Sequence, residues 1–260
     1  MNGCKSFGGA IYFSDSSSIG NVSGCSFVNC SSYHGGAIYF RSSGFVSGCS
    51  FVNCSSRDNG GAIYFSDSSS IGNVSGCSFV NCSTGDLGYG VIYFWDDGSV
   101  GNCSFVNCSS YHGGAIYFWG DGSVGNCSFV NCSSYDGGAI YFAEGSGSSR
   151  GFVSGCSFVN CSSRNEGGAI YFTKCNVSVN YCIFDNNNAR LGKAIFIRNM
   201  DYDVNYNFFA FQNKVIEFPD DLISCYGESG EYNITPENWA VKTLGGGWRV
   251  ACLKQIIEKL

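Results

Sequence analysis

Cysteine is the residue type with the most evident chemical potential in this chain. Seventeen of the 260 residues are cysteines, and most occur as pairs whose members are five residues apart. Three chemistries are open: buried free thiols acting as small apolar side chains, disulfides between stacked copies, and metal ligation, although no compact Cys-x-x-Cys pair is present. The paired positions form two sets of seven: Cys25, Cys49, Cys77, Cys103, Cys127, Cys156 and Cys182, and Cys4, Cys30, Cys54, Cys82, Cys108, Cys132 and Cys161.

Other candidates for acid–base or metal chemistry are sparse. His34 and His112 both occur in Tyr-His-Gly-Gly, and we predict that they are exposed corner residues too far apart to act together. Carboxylates are scattered, and no group of two or three with a nearby Lys or Arg can be assembled. We therefore predict no catalytic residue, no metal site and no cofactor. The scattered carboxylates of the repeat region include Asp15, Asp67, Asp96, Asp97 and Asp121.

These residues belong to a repeat. Each copy reads Cys-Ser-Phe-Val-Asn-Cys-Ser-Ser, then a few polar residues, then Gly-Gly-Ala-Ile-Tyr-Phe, and the period is about 25 residues. Such periodicity is typical of solenoids, in which each copy is one rung, that is, one complete turn of the superhelix. The isoleucines that mark nine predicted rungs, the first of them incomplete, are Ile11, Ile38, Ile63, Ile92, Ile116, Ile140, Ile170, Ile195 and Ile216.

The residue types favour strands over helices. No copy has apolar residues at helical spacing, whereas short alternating runs of β-branched and aromatic residues are bounded by Gly and Asn. We predict an all-β fold: a right-handed parallel β-helix of about nine rungs over residues 1–218, because parallel crossovers are almost always right-handed. Length differences between copies fall mainly in the Ser/Gly/Asp-rich segment that follows the Phe, where a loop absorbs them.

Alternation along a strand predicts which side chains face inward. The Ile and Phe positions stay apolar in the degenerate later copies, whereas the intervening Tyr becomes Phe196 and then Glu217. Ile, Phe and the paired Cys are therefore predicted to face the core, and Ser, Val, Ala and Tyr to face outward. The predicted outward Val stripe is Val28, Val52, Val80, Val106, Val130 and Val159.

The tyrosine column is the candidate binding site. If it is exposed, it forms an aromatic stripe along the solenoid. Such a stripe is explained either by neighbour stacking alone or by a partner or glycan surface. The candidate residues are Tyr12, Tyr39, Tyr64, Tyr93, Tyr117, Tyr141 and Tyr171.

Composition excludes some classes of partner. The net charge of −6 argues against nucleic acid, since phosphate binding needs clustered Lys and Arg. No run of 18 apolar residues occurs, so we predict no transmembrane segment. The first residues lack the pattern of a secretory signal. Twelve Asn-x-Ser/Thr sequons are present, and on a eukaryotic secretory route some would be glycosylated.

The last part of the chain differs from the repeats. Residues 219–260 are predicted to be a C-terminal capping segment with a short terminal helix over residues 249–260, because Val250, Leu253 and Ile257 have helical spacing. The predicted outward Ser column becomes Ile183 and Phe208 near this end. We expect the capping segment to fold back over both side chains.

The two half-motifs carry a resemblance to a known family. Gly-Gly-Ala-Ile occurs six times, and Phe-x-x-Asn is literal at 184–187, while earlier copies have Cys30 or its equivalent in place of the Asn. Over residues 1–218 the chain resembles the repeats of the chlamydial polymorphic outer membrane proteins and of similar protist surface proteins. The resemblance implies a right-handed β-helix of the pectin-lyase-like type, exposed on a cell surface or extracellular, that acts as an adhesin.

The resulting expectation is a non-enzymatic cell-surface or secreted repeat protein. Its partner would be a protein or glycan on another cell surface, and self-association is a further option. Two alternatives stay open: a β-helix enzyme acting on polysaccharide, and a shortened paralogue without activity. Release of sugar from a glycan would separate the enzyme from a binding protein.

Overall fold

The chain folds as a parallel β-solenoid. The computed structural model describes residues 7–68, 71–143, 145 and 149–199, and beyond them the backbone of six short strands between 208 and 252. The described residues form strands, turns and corners, and no helix is found among them. The predicted all-β parallel fold is confirmed.

Three long parallel sheets run along the solenoid. Sheet 1 consists of Ile11–Phe13, Ile38–Phe40, Ile63–Phe65, Ile92–Phe94, Ile116–Phe118, Ile140–Phe142, Ile170–Thr173, Ile195–Asn199, Ile223–Gly227 and Val250–Cys252. Sheet 2 consists of Gly20–Ser23, Gly44–Ser47, Gly72–Ser75, Gly98–Gly101, Gly122–Gly125, Ser149–Ser154, Cys175–Asn180, Phe208–Phe211 and Tyr232–Asn233. Sheet 3 consists of Ser26–Val28, Ser50–Val52, Ser78–Val80, Ser104–Val106, Ser128–Val130, Ser157–Val159, Ile183–Asp185, Asn213–Val215 and Trp239–Val241.

Two smaller sheets lie at the corner where the chain passes from sheet 3 to sheet 1. One joins three strands and the other two, and isolated parallel bridges connect Ser83 to Ser109 and Ser109 to Ser133. This corner therefore has its own ladder along the axis. Its strands are Ser31–Ser32, Ser55–Ser56 and Ser83–Thr84, and Ser133–Asp136 and Ser162–Glu166.

Equivalent residues of successive copies stack in register. Ile11 pairs with Ile38, and the pairing continues through Ile170 with Ile195, so eight strands of sheet 1 span seven complete rungs. The predicted ninth marker, Ile216, was wrong, since Ile223 takes the place beside Ile195. The residues just before Ile216, Asn213–Val215, form a strand of sheet 3. Each rung contributes a strand to sheet 1, then to sheet 2 and then to sheet 3, so the next strand of sheet 1 comes later in the chain.

Two columns of phenylalanine fill the core. Rings of adjacent rungs stack at centroid distances of 4.6 to 5.0 Å. The glycines that begin strands of sheet 2 pack directly against the phenylalanines of sheet 1. At Gly98, for example, a Cβ atom would stand 2.4 Å from Phe94 Cδ1. Glycine is required there because any side chain would displace the ring.

The alanine column contradicts its prediction. Ala37, Ala62, Ala115, Ala139 and Ala169 have no exposed surface and pack in the main core. The reason is the local backbone geometry. The N–H groups of Ala10 and Ile11 both donate to Ala37 O of the next rung, and later copies repeat this pattern. The alanine therefore lies at a corner, where side chains do not alternate as they do within a strand.

The cysteines of the two columns lie at corners of the solenoid. All fourteen whose side chains the structure describes are free thiols, and twelve of them are buried. In the first set, the N–H of Cys25 donates to Cys49 Sγ at 3.4 Å, and the same contact repeats as far as Cys127. In the second set, Cys54 Sγ donates to Phe27 O at 3.5 Å. The thiols thus satisfy backbone groups that the corners leave unpaired.

Asn187 shows what the second cysteine position needs. It occupies that position one rung further on and is buried. Its Oδ1 accepts from the N–H of Cys161 at 2.9 Å, and its Nδ2 donates to Phe158 O at 3.1 Å. The amide makes the contacts that thiols make elsewhere in the column. The column therefore selects small side chains with hydrogen-bonding capacity.

The outer face of sheet 3 agrees with the predicted alternation. Val28 is exposed, and the later valines of its column are half-buried. Next to them, exposed asparagines adopt left-handed backbone angles (Asn29 φ 55°) and bond to one another, as in Asn53 Nδ2 to Asn29 Oδ1 at 3.2 Å. Several sequons thus lie on a ladder of paired amides.

Strands continue beyond the predicted boundary at 218. Val250–Cys252 is a strand of sheet 1, whereas a helix was predicted there, and the other residues of that predicted helix lie outside the described ones. Phe208 pairs with Val177 in sheet 2, so its assignment to the Ser column was wrong. In the Ser column, Ile183 of one rung pairs with Lys214 of the next. Ile183 is 37% exposed. The predicted cover of Ile183 by the capping segment lies outside the described residues.

Candidate binding groove beside the tyrosine row

The tyrosine column is not an exposed stripe. It faces away from the main core, as alternation predicts, but Tyr39, Tyr64, Tyr93, Tyr117 and Tyr171 are between 1 and 8% exposed. Of the other two, Tyr141 is half-buried and Tyr12, in the first described rung, is 41% exposed. The predicted exposure was therefore wrong, because a second layer of side chains covers the column.

The rings of this tyrosine row contact each other along the axis. Tyr39 and Tyr64 meet edge to face at 5.0 Å, whereas Tyr117 and Tyr141 stack at 5.1 Å with planes 10° apart. Burial raises the pKa of Tyr64, Tyr93 and Tyr117 well above the ordinary value. The row is a second aromatic core outside the sheet.

One side of the cover is the column of residues that precede the Gly-Gly pair of each copy, or the single glycine at Gly90 and Gly192. From Gly8 to Gly167, the glycine after each column residue donates its N–H to the carbonyl of the next column residue, as Gly35 does to Asn59 O at 3.0 Å. The column therefore repeats in register and places a side chain beside each tyrosine. Its members are Phe7, His34, Asn59, Tyr89, His112, Asp136, Glu166 and Leu191.

The histidines belong to this cover. Each was predicted to be exposed, but their side chains are only 17 and 19% exposed. His34 stacks on Tyr64 at 5.2 Å, and His112 lies 4.9 Å from Tyr141. Burial lowers the pKa of His112 to about 4, so the ring is neutral at neutral pH. The structure thus makes both histidines packing residues.

Two carboxylates and an arginine follow His112 along the cover. His112 Nδ1 lies 3.4 Å from Asp136 Oδ2. Asp136 Oδ1 accepts from Asn165 Nδ2 at 3.0 Å and from the N–H of Glu166 at 3.1 Å. Arg198 Nη2 donates to both oxygens of Glu166, at 3.2 and 3.1 Å. Sequence reasoning found no such cluster, yet the structure brings these residues together in adjacent rungs.

The chemistry of this cluster is structural. Burial raises the pKa of both Asp136 and Glu166, and for Glu166 the charge of Arg198 opposes that shift. Asp136 and Glu166 are buried, and each carboxylate bonds to protein donors. Their bonds hold three successive rungs of the cover over Tyr141 and Tyr171. In this arrangement the carboxylates support the cover.

An open groove of about 600 Å³ lies on the outer side of the same corner. Tyr111 and Tyr135 stand on it one rung apart and stack at 5.1 Å with planes 10° apart. Charged side chains of opposite sign, Asp86 and Arg164, lie on its lining. The remaining lining is mostly hydroxyl-bearing: Thr84, Ser109, Ser110, Ser133, Ser134, Ser162 and Ser163, with Gly85 and Asn188.

The geometry of the groove follows from the corner ladder. Bridges and strand pairs join Ser83, Ser109, Ser133, Ser162 and Asn188 in sequence. Four steps of about 4.8 Å make the groove roughly 19 Å long. The backbone groups of its floor bond between rungs, so a ligand meets side chains: the stacked phenol rings and the hydroxyl groups of Ser109, Ser133 and Ser162. The hydroxyl groups of Ser110 and Ser134 instead donate to backbone carbonyls of the corner.

The sequence contained a signal for this groove. Tyr111 and Tyr135 follow the same Cys-Ser-Ser in adjacent copies, as do Tyr33 and Arg57 in earlier ones. No ladder was predicted at that position, because it lies at a corner and not within a strand. Stacking of equivalent positions along a parallel solenoid makes any such column a ladder.

Comparisons with known proteins gave no match: no family model, curated protein or solved structure matches this chain. Within the part of the chain that the structure describes, no helix is long and apolar enough to cross a membrane. In the same part, no three His, Cys, Asp or Glu side chains converge at a metal site.

Proposed function

We propose that this chain is a non-enzymatic, cell-surface or secreted repeat protein of the adhesin type. Its ligand is a glycan, which it binds in the groove that contains Tyr111 and Tyr135. The solenoid serves as a rigid support on which stacked corner residues form an elongated binding surface. The binding residues then lie at the corner beside the tyrosine row and not in the row itself.

The observation that supports it most directly is the pairing of an aromatic ladder with hydroxyl groups in one open groove. Tyr111 and Tyr135 offer flat apolar surface with a polar tip, which suits the C–H face of a sugar ring. Ser109, Ser133 and Ser162, which are half-buried, offer donors and acceptors for sugar hydroxyls. A length of roughly 19 Å fits an oligosaccharide better than a single sugar.

A peptide ligand fits this groove less well. Extended peptides usually bind by adding a strand to an unpaired sheet edge. Here, backbone groups of the corner bond to those of the next rung, for example Tyr135 N–H to Tyr111 O at 2.8 Å. The groove also offers charges of both signs, Asp86 and Arg164, which gives it no preference for a strongly charged chain.

The test is binding to immobilised glycans, followed by titration of the best one. Tyr111→Ala and Tyr135→Ala should each weaken binding roughly tenfold or more, as is typical of buried aromatic anchors. Tyr33→Ala is the matched control, because Tyr33 is exposed in the same column but outside the groove. Equal affinity of all three variants and the parent chain would refute the groove as the site.

Product analysis in the same experiment separates the remaining alternatives. A polysaccharide enzyme would release soluble sugar from the bound glycan. A shortened paralogue without activity would bind no glycan. The proposed adhesin retains the glycan without cleaving it.

A further inference from the structure

The opposite edge of the tyrosine row has its own exposed aromatic residues. Trp95 and Trp119 directly follow the Phe of two successive copies. The backbone N–H of each donates to the Phe carbonyl of the preceding rung. Their rings stack at 5.8 Å with planes 10° apart, and the residues are 40 and 38% exposed. Two indoles thus stand along the axis at the edge of sheet 1.

The next residue in this column is much smaller, and a cavity results. Ala143 N–H donates to Phe118 O in the same pattern, but its side chain is a single methyl group. The step from indole to methyl leaves an open cavity of about 380 Å³. It is lined by Tyr117, Trp119, Tyr141, Ala143, Gly145 and Thr173.

The lining is aromatic on several sides. Tyr117 and Tyr141 stack parallel, Trp119 lies beside them, and Ala143 packs among the buried tyrosines. No residue of this lining carries a charge at neutral pH. Because Tyr117 and Tyr141 stack on each other, their rings meet the cavity at their edges and hydroxyl groups. Trp119 stacks on Trp95 with one face, which leaves its other face on the side of Ala143. The face of an aromatic ring is the negative region of its quadrupole, so this indole face attracts cations.

Carboxylates lie next to both members of the Trp pair along the chain: Asp96 and Asp97 follow Trp95, and Asp121 comes two residues after Trp119. Asp97 Oδ1 accepts from the N–H of Asp121 at 3.0 Å, and Asp121 forms an ion pair with Arg150 at 3.1 Å. A Cβ on Gly120, the residue after Trp119, would stand 2.9 Å from Asp96 Oδ1. Burial raises the pKa of Asp96, and the negative charge of Asp97 raises it further. Three carboxylates against one paired arginine leave this edge with an excess of negative charge.

We propose that this aromatic cavity binds an organic cation, specifically a quaternary or methylated ammonium group. Such a group is weakly hydrated, so its transfer onto the free face of Trp119, beside the edges of Tyr117 and Tyr141, costs little, and the carboxylates nearby raise its local concentration. A neutral sugar would gain from the rings but not from the carboxylates. This site is independent of the glycan groove and has different chemistry.

The test compares choline with 3,3-dimethylbutan-1-ol, its neutral isostere, by calorimetric titration of the whole chain. Choline should bind saturably, and the isostere roughly tenfold or more weakly, because the neutral compound cannot make the cation–π contact. Added salt should weaken choline binding, because exposed carboxylates are screened. Equal binding of the two compounds, or no binding of choline, would overturn the proposal.

Variants locate the site. Trp119→Leu should abolish choline binding, and Ala143→Leu should do so by filling the cavity while every aromatic ring is kept. Trp95→Leu is the matched control, because Trp95 lies one rung away in the same column and does not line the cavity. Circular dichroism and urea unfolding establish that each variant is folded. Choline binding that persists in folded Trp119→Leu would place the cation elsewhere and contradict the assignment.

Discussion

Replacing Tyr93 by alanine tests whether the tyrosine row is a buried layer. Tyr93 is 1% exposed, and its ring contacts Tyr64 at 4.9 Å and Tyr117 at 5.1 Å. The substitution removes both aromatic pairs and leaves a cavity between the sheet and its cover. Replacing a buried large aromatic side chain by alanine typically costs about 3–5 kcal/mol, and we expect Tyr93→Ala to lie in this range.

Tyr33→Ala is the control, because the same residue type is 43% exposed there. Its ring meets His34 at 4.7 Å and lies under the Arg57 guanidinium at 5.9 Å. Exposed contacts of this kind contribute about 1 kcal/mol or less. The structure therefore predicts that the two variants differ by at least about 2 kcal/mol.

Urea unfolding followed by circular dichroism and by tryptophan fluorescence measures both variants. With a denaturant dependence of about 3 kcal/mol/M, Tyr93→Ala should lower the midpoint by roughly 1–1.7 M. Coincident transitions by the two probes justify two-state treatment. If Tyr93→Ala shifts the midpoint no more than Tyr33→Ala does, the tyrosine row is not covered and the reasoning fails.

Two further predictions concern the thiols and the histidines. Alkylation of the native chain at pH 8 should modify the exposed Cys25 rapidly and leave Cys103 intact until the chain unfolds. The reason is that a hydrogen bond with Cys127, together with burial, raises the pKa of Cys103 to about 12. Peptide mapping measures the labelling of each thiol, and rapid labelling of Cys103 in the native chain would contradict the prediction. The His34→Phe/His112→Phe double variant should lose less stability than the parent chain between pH 7 and pH 5. Burial lowers the pKa of both histidines in the folded chain, to about 4 for His112. Below about pH 6.5 the histidines of the unfolded chain take up protons and those of the folded chain do not, so the parent chain loses stability as the pH falls. Equal losses in urea midpoint would show that neither ring is kept neutral by the fold.

The repeat predicted the architecture because periodic spacing and alternation are properties of the chain itself. The Ile and Phe columns, the inward cysteines and the outward valines such as Val28 all follow from strand geometry. Alternation gives the direction of a side chain relative to its own sheet. It does not reveal what lies above that side chain, and for this reason Tyr93 was predicted to be exposed.

The cover and the groove were missed because both belong to corners. Asp136 and Glu166 precede Gly-Gly in adjacent copies, and Tyr111 and Tyr135 follow Cys-Ser-Ser, so register alone would have aligned each pair. Corner segments differ in sequence and length between copies, and they were therefore treated as loops. In a parallel solenoid, a corner of constant register forms a ladder just as a strand does.

Tyrosine nitration with and without the best-binding glycan tests the central claim most directly. In the free chain, Tyr135 and Tyr33 should be nitrated, whereas Tyr93 and Tyr117 should be protected by burial and by their raised pKa. The glycan should protect Tyr135 and leave Tyr33 reactive. Nitration of Tyr93 in the free folded chain, or glycan protection of Tyr33 in place of Tyr135, would contradict a covered tyrosine row with a glycan groove beside it.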